Sequence, residues 1–127
     1  MNVLIVDTSS WISYFKGNPA PDLDLALKEG RVFLSPVVLA ELLSAKLKSS
    51  ERTQLESFLR DLPLCETPFE HWMHVGELRA KCALNGIAVS TPDAHVEQCC
   101  LDLEGYLLSE DQIFSKLSPL ALLKRLQ

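Results

Sequence analysis

Val3-Leu4-Ile5-Val6-Asp7-Thr8-Ser9 is the stretch on which the reading of the fold turns. An uninterrupted apolar run without alternation reads as a strand buried on both faces, here Asn2 to Asp7. Working outward, Ser9 to Lys16 forms a helix with Trp11, Ile12 and Phe15 on its apolar side, ending at Gly17. Residues 22–29 make a short amphipathic helix closed by Gly30, and Arg31-Val32-Phe33-Leu34 is the next strand. Prolines then mark helix starts. Ser35-Pro36, Thr67-Pro68, Thr91-Pro92 and Ser118-Pro119 each set a capping hydroxyl before a proline at the first helical position, and Thr67 to Glu70 completes a capping box. Helices are expected at about 36–48, 51–61, 68–85 and 92–103, and strands near 62–66 and 105–109. Gly86 stops the long fifth helix before a short extended connection, Ile87 to Ser90. Asp111 to Lys116 reads as a helical turn and Pro119 to Leu126 as a terminal helix. Strands alternating with helices mean βαβ units. The expected class is α/β, a three-layer α/β/α arrangement with a mostly parallel sheet of four to five strands.

With 127 residues, 47% hydrophobic and 23% charged, the chain reads as one globular domain over 1–127 that builds a core without disulfides or a structural metal. No apolar run approaches the roughly 20 residues of a membrane span. No basic segment precedes the first apolar run, so the expected location is the cytoplasm, with no membrane contact. The net charge of −5 argues against a sequence-independent nucleic-acid binder. It does not argue against a nuclease, whose metal supplies positive charge where the phosphate sits. Cys65, Cys82, Cys99 and Cys100 include no C-x-x-C pair, and His71, His74 and His95 stand at no finger-like distance from them. Buried thiols are preferred there over a zinc site.

In a parallel sheet, ligands bind beyond the carboxyl ends of the strands. Asp7 ends the first strand, Asp111 follows the strand Gly105 to Leu108 by three residues, Asp93 lies in the first turn after Thr91-Pro92, and Glu41 sits inside the helix after the second strand. Each has a purely structural explanation. Asp7 and Asp111 suit helix caps, and Asp93 suits the positive end of a helix dipole. Glu41 is harder to place, because it interrupts Val37-Val38-Leu39-Ala40 and Leu42-Leu43. It is expected to be partly buried and to need a partner from outside its helix. Four converging carboxylates repel one another unless a cation joins them. A donor set of carboxylate and water points to Mg²⁺ or Mn²⁺, and the matching chemistry is phosphodiester hydrolysis by metal-activated water.

These segments, with Val38-Leu39-Ala40-Glu41-Leu42, Pro92-Asp93 and Leu107-Leu108-Ser109-Glu110-Asp111-Gln112-Ile113-Phe114, resemble the PIN domain, and within it the VapC toxins of bacterial toxin–antitoxin pairs. The resemblance spans almost the whole chain in order. It implies a Mg²⁺-dependent endoribonuclease (Mn²⁺ serving as well) whose four acids are Asp7, Glu41, Asp93 and Asp111, with Ser9 and Ser109 orienting carboxylates or water. It further implies cleavage to 5′-phosphate and 3′-hydroxyl ends. The implied assembly is a homodimer silenced by a cognate VapB-like antitoxin, in a heterotetramer or larger complex. The chain departs from the family in Ala94-His95-Val96-Glu97-Gln98-Cys99-Cys100, where small alanine-rich turns are usual. Glu97 lies one turn from Asp93 and reads as a solvated surface glutamate, with a place in the metal's outer shell as the other reading. The terminal helix stands where an edge strand belongs.

RNA contact would come from Lys46, Lys48 and Arg52 after the Glu41 helix and from Arg79 and Lys81 on the fifth helix, although most such residues are simply solvated. Leu43, Leu47, Leu55, Phe58 and Leu59 exceed what one small sheet face needs, and serve as core, dimer seam or antitoxin groove. Other phosphate chemistries lack their motifs. No Asp-x-Asp follows the first strand, no receiver-type acid pair is present, and the five glycines form no phosphate loop. The remaining alternatives are a PIN-like RNA-processing nuclease outside a toxin–antitoxin pair and a catalytically silent binding module.

Overall fold

A computed structural model describes residues 2–121 and 124–126. Its elements are β1 (Leu4–Val6), α1 (Thr8–Phe15), α2 (Pro21–Lys28), β2 (Val32–Phe33), α3 (Pro36–Leu43), α4 (Ser49–Arg60), α5 (Phe69–Leu84), α6 (Thr91–Leu103), β3 (Tyr106–Leu108), α7 (Ile113–Ala121) and β4 (Lys124–Leu126). The four strands form one sheet in the order β2-β1-β3-β4, and every pairing is parallel. The α/β reading therefore holds, with four strands among the described residues.

β1 is buried along its length because it lies between β2 and β3 with α6 across one face. α6 packs against β1, β3, α5 and α7, and seven consecutive residues, Ala94 to Cys100, are buried. A helix enclosed on all sides has no polar face to give to water. Glu97 is accordingly fully buried, a correction to its reading as a surface residue. Burial first, and the neighbouring Glu97 second, pushes up the thiols of Cys82 and Cys100. After α6 the chain turns through Glu104, which is left-handed at φ 49°, into Gly105. A Cβ at Gly105 would stand 2.7 Å from the Val3 carbonyl oxygen, so only glycine lets this backbone lie so close to β1.

Several local expectations change. Ser35 caps α3 as read, accepting from the amides of Val37 and Val38. The caps of α5 and α6 shift by one residue. Pro68 is the N-cap of α5 without a side-chain bond, so no capping box forms at Thr67, and Ser90, not Thr91, caps α6. Residues 62–66 make a single parallel bridge, Leu34 to Leu64, not a strand, because Pro63 brings no amide with which to extend a ladder. At the chain's end the expected helix from Pro119 to Leu126 is replaced. α7 runs on through Ala121, and Lys124–Leu126 pairs with Tyr106–Leu108 as the edge strand; residues 122–123 of that expectation lie outside the described residues.

Candidate functional site

The chain leaves β1 for β2 on one side and later returns to β3 on the other, so the topological switch falls between β1 and β3. Parallel strands bring all their carboxyl ends to one edge, and loops diverging from a switch point leave a crevice there. Asp7 follows β1 directly, and Ser109 follows β3 directly.

Asp7 is held by three donors. Its Oδ1 accepts from the Ser10 amide at 3.0 Å, which makes it the N-cap of α1, and from Ser9 Oγ at 3.0 Å. Its Oδ2 accepts a short hydrogen bond from Ser109 Oγ across the crevice. Ser109 Oγ in turn accepts from the Asp111 amide at 3.0 Å. One hydroxyl thus links the carboxylate at the end of β1 to the loop carrying Asp111. Asp111 folds back on its own turn, its Oδ1 accepting from the Ile113 amide at 3.0 Å. Asp7 therefore combines a cap and a site carboxylate in one side chain.

Glu41 is exposed, contrary to the expectation of burial. Its side chain leaves the apolar face of α3 and meets α1, where Thr8 Oγ1 donates to Oε1 at 2.7 Å. Thr8 was missed as a site residue because it reads locally as part of a helix start. Asp93 is half-buried at the third position of α6, its amide donating to Ser90 Oγ at 3.2 Å. The Asp93 carboxyl is raised from its ordinary value. Burial is the main cause, a hydrogen bond from the Ser90 side chain to the carboxyl works against it, and the charges of Asp111, Asp7 and Glu41 add to the rise. The four acids named by sequence therefore share one electrostatic neighbourhood. Carboxylates and hydroxyls offer only oxygen ligands, a donor set that fits a hard divalent cation.

Behind this edge lies a polar chain that the sequence reading did not anticipate. Ser35 Oγ meets His95 Nε2 at 2.6 Å, His95 Nδ1 meets His71 Nε2 at 2.7 Å, and His71 Nδ1 meets Asp102 Oδ2 at 2.6 Å. Burial, then the neighbouring His71, holds His95 down at about 4. With both rings neutral, one proton on each imidazole satisfies the whole series. The chain ties the cap of α3, which carries Glu41, to α6, which carries Asp93.

Two of the basic residues proposed for the rim have structural duties. Arg52 donates to the carbonyls of Leu43 and Ala45, and Arg79 donates to that of Val89. Lys46 and Lys48 are exposed. Beside α3 and α4 a cavity of about 470 Å³ is lined by Leu39, Leu43, Leu59, Leu62 and Leu64 among others. Leu59 is core, and Leu43, Leu55 and Phe58 pack partly buried against it. No helix among the described residues is long and apolar enough to cross a membrane.

Comparison with known proteins places these features. A model of the PIN domain family matches residues 4–119. No curated protein matches the chain by sequence. Among solved structures, a DNA-bound VapBC from Salmonella typhimurium is similar at TM-score 0.82 and 19% identity, over 99% of this chain and 98% of that one. VapBC2 from Rickettsia felis, bound to a fragment of promoter DNA, gives 0.79 and 20% over 98% and 99%. VapBC-5 from Mycobacterium tuberculosis gives 0.71 and 20% over 100% and 99%.

Proposed function

The chain belongs to the PIN domain family, and on that premise we propose that it is a single-domain, cytoplasmic, VapC-like endoribonuclease toxin. Asp7, Glu41, Asp93 and Asp111 are its catalytic, Mg²⁺-holding acids, with Ser9 and Ser109 in support. The observation that carries this reading is the convergence of the four acids at the β1–β3 crevice, where three of them raise the fourth. Four carboxylates of separate elements gain nothing from such proximity unless a cation joins them.

When bound, Mg²⁺ (or Mn²⁺) lowers the pKa of a water and offsets charge on the scissile phosphate. The chain's own residues do the rest. Ser9, the Ser10 amide and Ser109 hold the Asp7 carboxylate by three hydrogen bonds, and Thr8 aims Glu41. Ser109 also sets the Asp111 loop against Asp7, so that the carboxylates need little reorganisation as ligand binds. Lys46 and Lys48, both exposed, are the cations offered to an RNA backbone.

The apolar cavity beside α3 supports the antitoxin part of the reading. It lies against the Leu39 and Leu43 face of the helix that carries Glu41, a seat for an amphipathic segment of a VapB-like partner. A homodimer, joined by antitoxin into a heterotetramer or larger complex, completes the reading.

Cleavage of a total-RNA pool by antitoxin-free protein tests the function. Discrete fragments with 5′-phosphate ends, requiring both Mg²⁺ and Asp7, are expected. Intact RNA under all conditions, or equal cleavage by Asp7→Asn, overturns it.

A further inference from the structure

The His71–His95 pair lies beside two thiols. Cys99 Sγ stands 3.6 Å from His95 Nε2 and 3.9 Å from its Nδ1, and the neighbouring Cys65 thiol pushes that of Cys99 up. Among the described residues, His71, His95 and Cys99 are the group whose potential ligand atoms all fall within 4.8 Å of one another. All three are buried, as is Cys65. The acids at the sheet edge are a separate and looser set.

We infer that His71, His95, Cys99 and Cys65 form a binding site for one Zn²⁺ ion, independent of the acidic cluster. Two imidazoles and two thiols are the donor set of tetrahedral zinc. The nitrogens facing inward are His71 Nε2 and His95 Nδ1, while the outward nitrogens are anchored, His71 Nδ1 by Asp102 and His95 Nε2 by Ser35. Gln98 Nε2 donates to the other Asp102 oxygen at 2.8 Å, so the anchoring carboxylate is itself held. Outer partners of this kind fix the orientation and tautomer of zinc-bound histidines.

Bonds of about 2.0 Å to nitrogen and 2.3 Å to sulfur place tetrahedral ligands about 3.3 Å (N···N) and about 3.6 Å (N···S) apart. Cys99 Sγ stands 3.9 Å from His95 Nδ1, the inward nitrogen, and closes by a few tenths of an ångström to reach that spacing. The 2.7 Å contact between rings is a proton-filled hydrogen bond, and it opens by roughly half an ångström when zinc takes the proton's place. His95 then carries its proton on Nε2, where Ser35 Oγ accepts it by giving up one of its two bonds from the Val37 and Val38 amides, and the two thiols release theirs to solvent. A cavity of about 520 Å³, lined by Cys65, His71, Cys99 and Asp102 among others, supplies the entry path.

Sequence spacing hides such a site. Its ligands come from α5, from α6 and from the segment bridged to Leu34, not from one metal-binding loop. Zinc there would pin these three pieces together behind Asp93.

The test uses the full, tag-free chain, stripped with chelator, given one equivalent of ZnCl₂ and dialysed against excess Mg²⁺. About one zinc per chain should remain by elemental analysis. Asp93→Asn should retain it, and Cys99→Ser and Cys65→Ser should each lose at least 10-fold in zinc affinity. Should either serine variant fail to fold, the wild-type chain loaded with Co²⁺ decides, since tetrahedral thiolate ligation gives intense visible and thiolate charge-transfer absorption. Retention below one-tenth of an equivalent, unchanged retention in folded serine variants, or a Co²⁺ spectrum without thiolate bands overturns the assignment.

Discussion

Asp7 does two jobs, and two substitutions separate them. Asp7→Asn removes the charge but keeps Oδ1, which accepts from the Ser10 amide and Ser9 Oγ. Its new amide group can donate to Ser109 Oγ, a hydroxyl with two acceptor lone pairs. Asp7→Ala removes the charge and every acceptor. Both variants relieve the same repulsion with Asp93, so that contribution cancels in a comparison of the two. What remains is a lost N-cap, about 1 kcal/mol, and a half-buried Ser109 hydroxyl left without its acceptor, about 1 kcal/mol more. At roughly 2.1 cal/mol/K of unfolding entropy per residue, a chain of this length shifts by about 4 °C per kcal/mol. Asp7→Ala should therefore melt about 7 °C below Asp7→Asn in chelator-containing buffer, by circular dichroism or calorimetry. Both should lose RNA cleavage by at least 100-fold. Equal melting temperatures would refute the cap argument. An Asn variant that cleaves RNA like wild type would refute the assignment of Asp7 to the reaction.

Other perturbations report on other parts of the molecule. Gly105→Ala places a Cβ 2.7 Å from the Val3 carbonyl oxygen and should cost about 1–3 kcal/mol in chemical denaturation; an unchanged midpoint would contradict the close approach. His95 is held at about 4 by burial and by His71, below its unfolded value near 6.5. The unfolded chain therefore binds more protons between those values. Stability should be full above pH 6.5 and fall toward pH 4 at up to about 1.4 kcal/mol per pH unit, measured in chelator, with the slope flattened in a folded His95→Gln variant. Because Asp93 is raised from its ordinary value, the acid limb of the cleavage profile should be displaced upward at low Mg²⁺. It should move to lower pH as Mg²⁺ rises, since metal competes with the proton; a limb that ignores Mg²⁺ would remove Asp93 from the metal's ligands. Lys46→Glu should weaken cleavage of every RNA alike and flatten its salt dependence, whereas a loss confined to one RNA sequence would argue for base contact instead.

Wherever a rule acts between chain neighbours, the elements could be read directly. The apolar run of β1, the Ser35–Pro36 start of α3 and the glycines at the ends of helices depend on backbone sterics and bonds a few residues long. The positions of the four candidate acids follow a related rule. Each follows a strand closely or sits in or just beyond the first turn of a helix, and parallel strands bring such positions to one edge.

Tertiary neighbours decided the remainder. Lys124–Leu126 is a strand because β3 offers it an open edge, which no pattern within residues 119–126 encodes. Glu97 is buried and Glu41 exposed, the reverse of what their flanking residues suggest, because α6 is enclosed by four elements while Glu41 is met by Thr8 of α1. The series from Ser35 through His95 and His71 to Asp102 spans residues far apart in the chain, and so does the pairing of Cys65 with Cys99. By itself the sequence determined which acids the strand ends would present, since backbone geometry and strand direction carry that information. Only packing in three dimensions decided which polar groups share the interior, because a buried donor or acceptor is matched by whatever group the fold brings within about 3 Å, regardless of its distance along the chain.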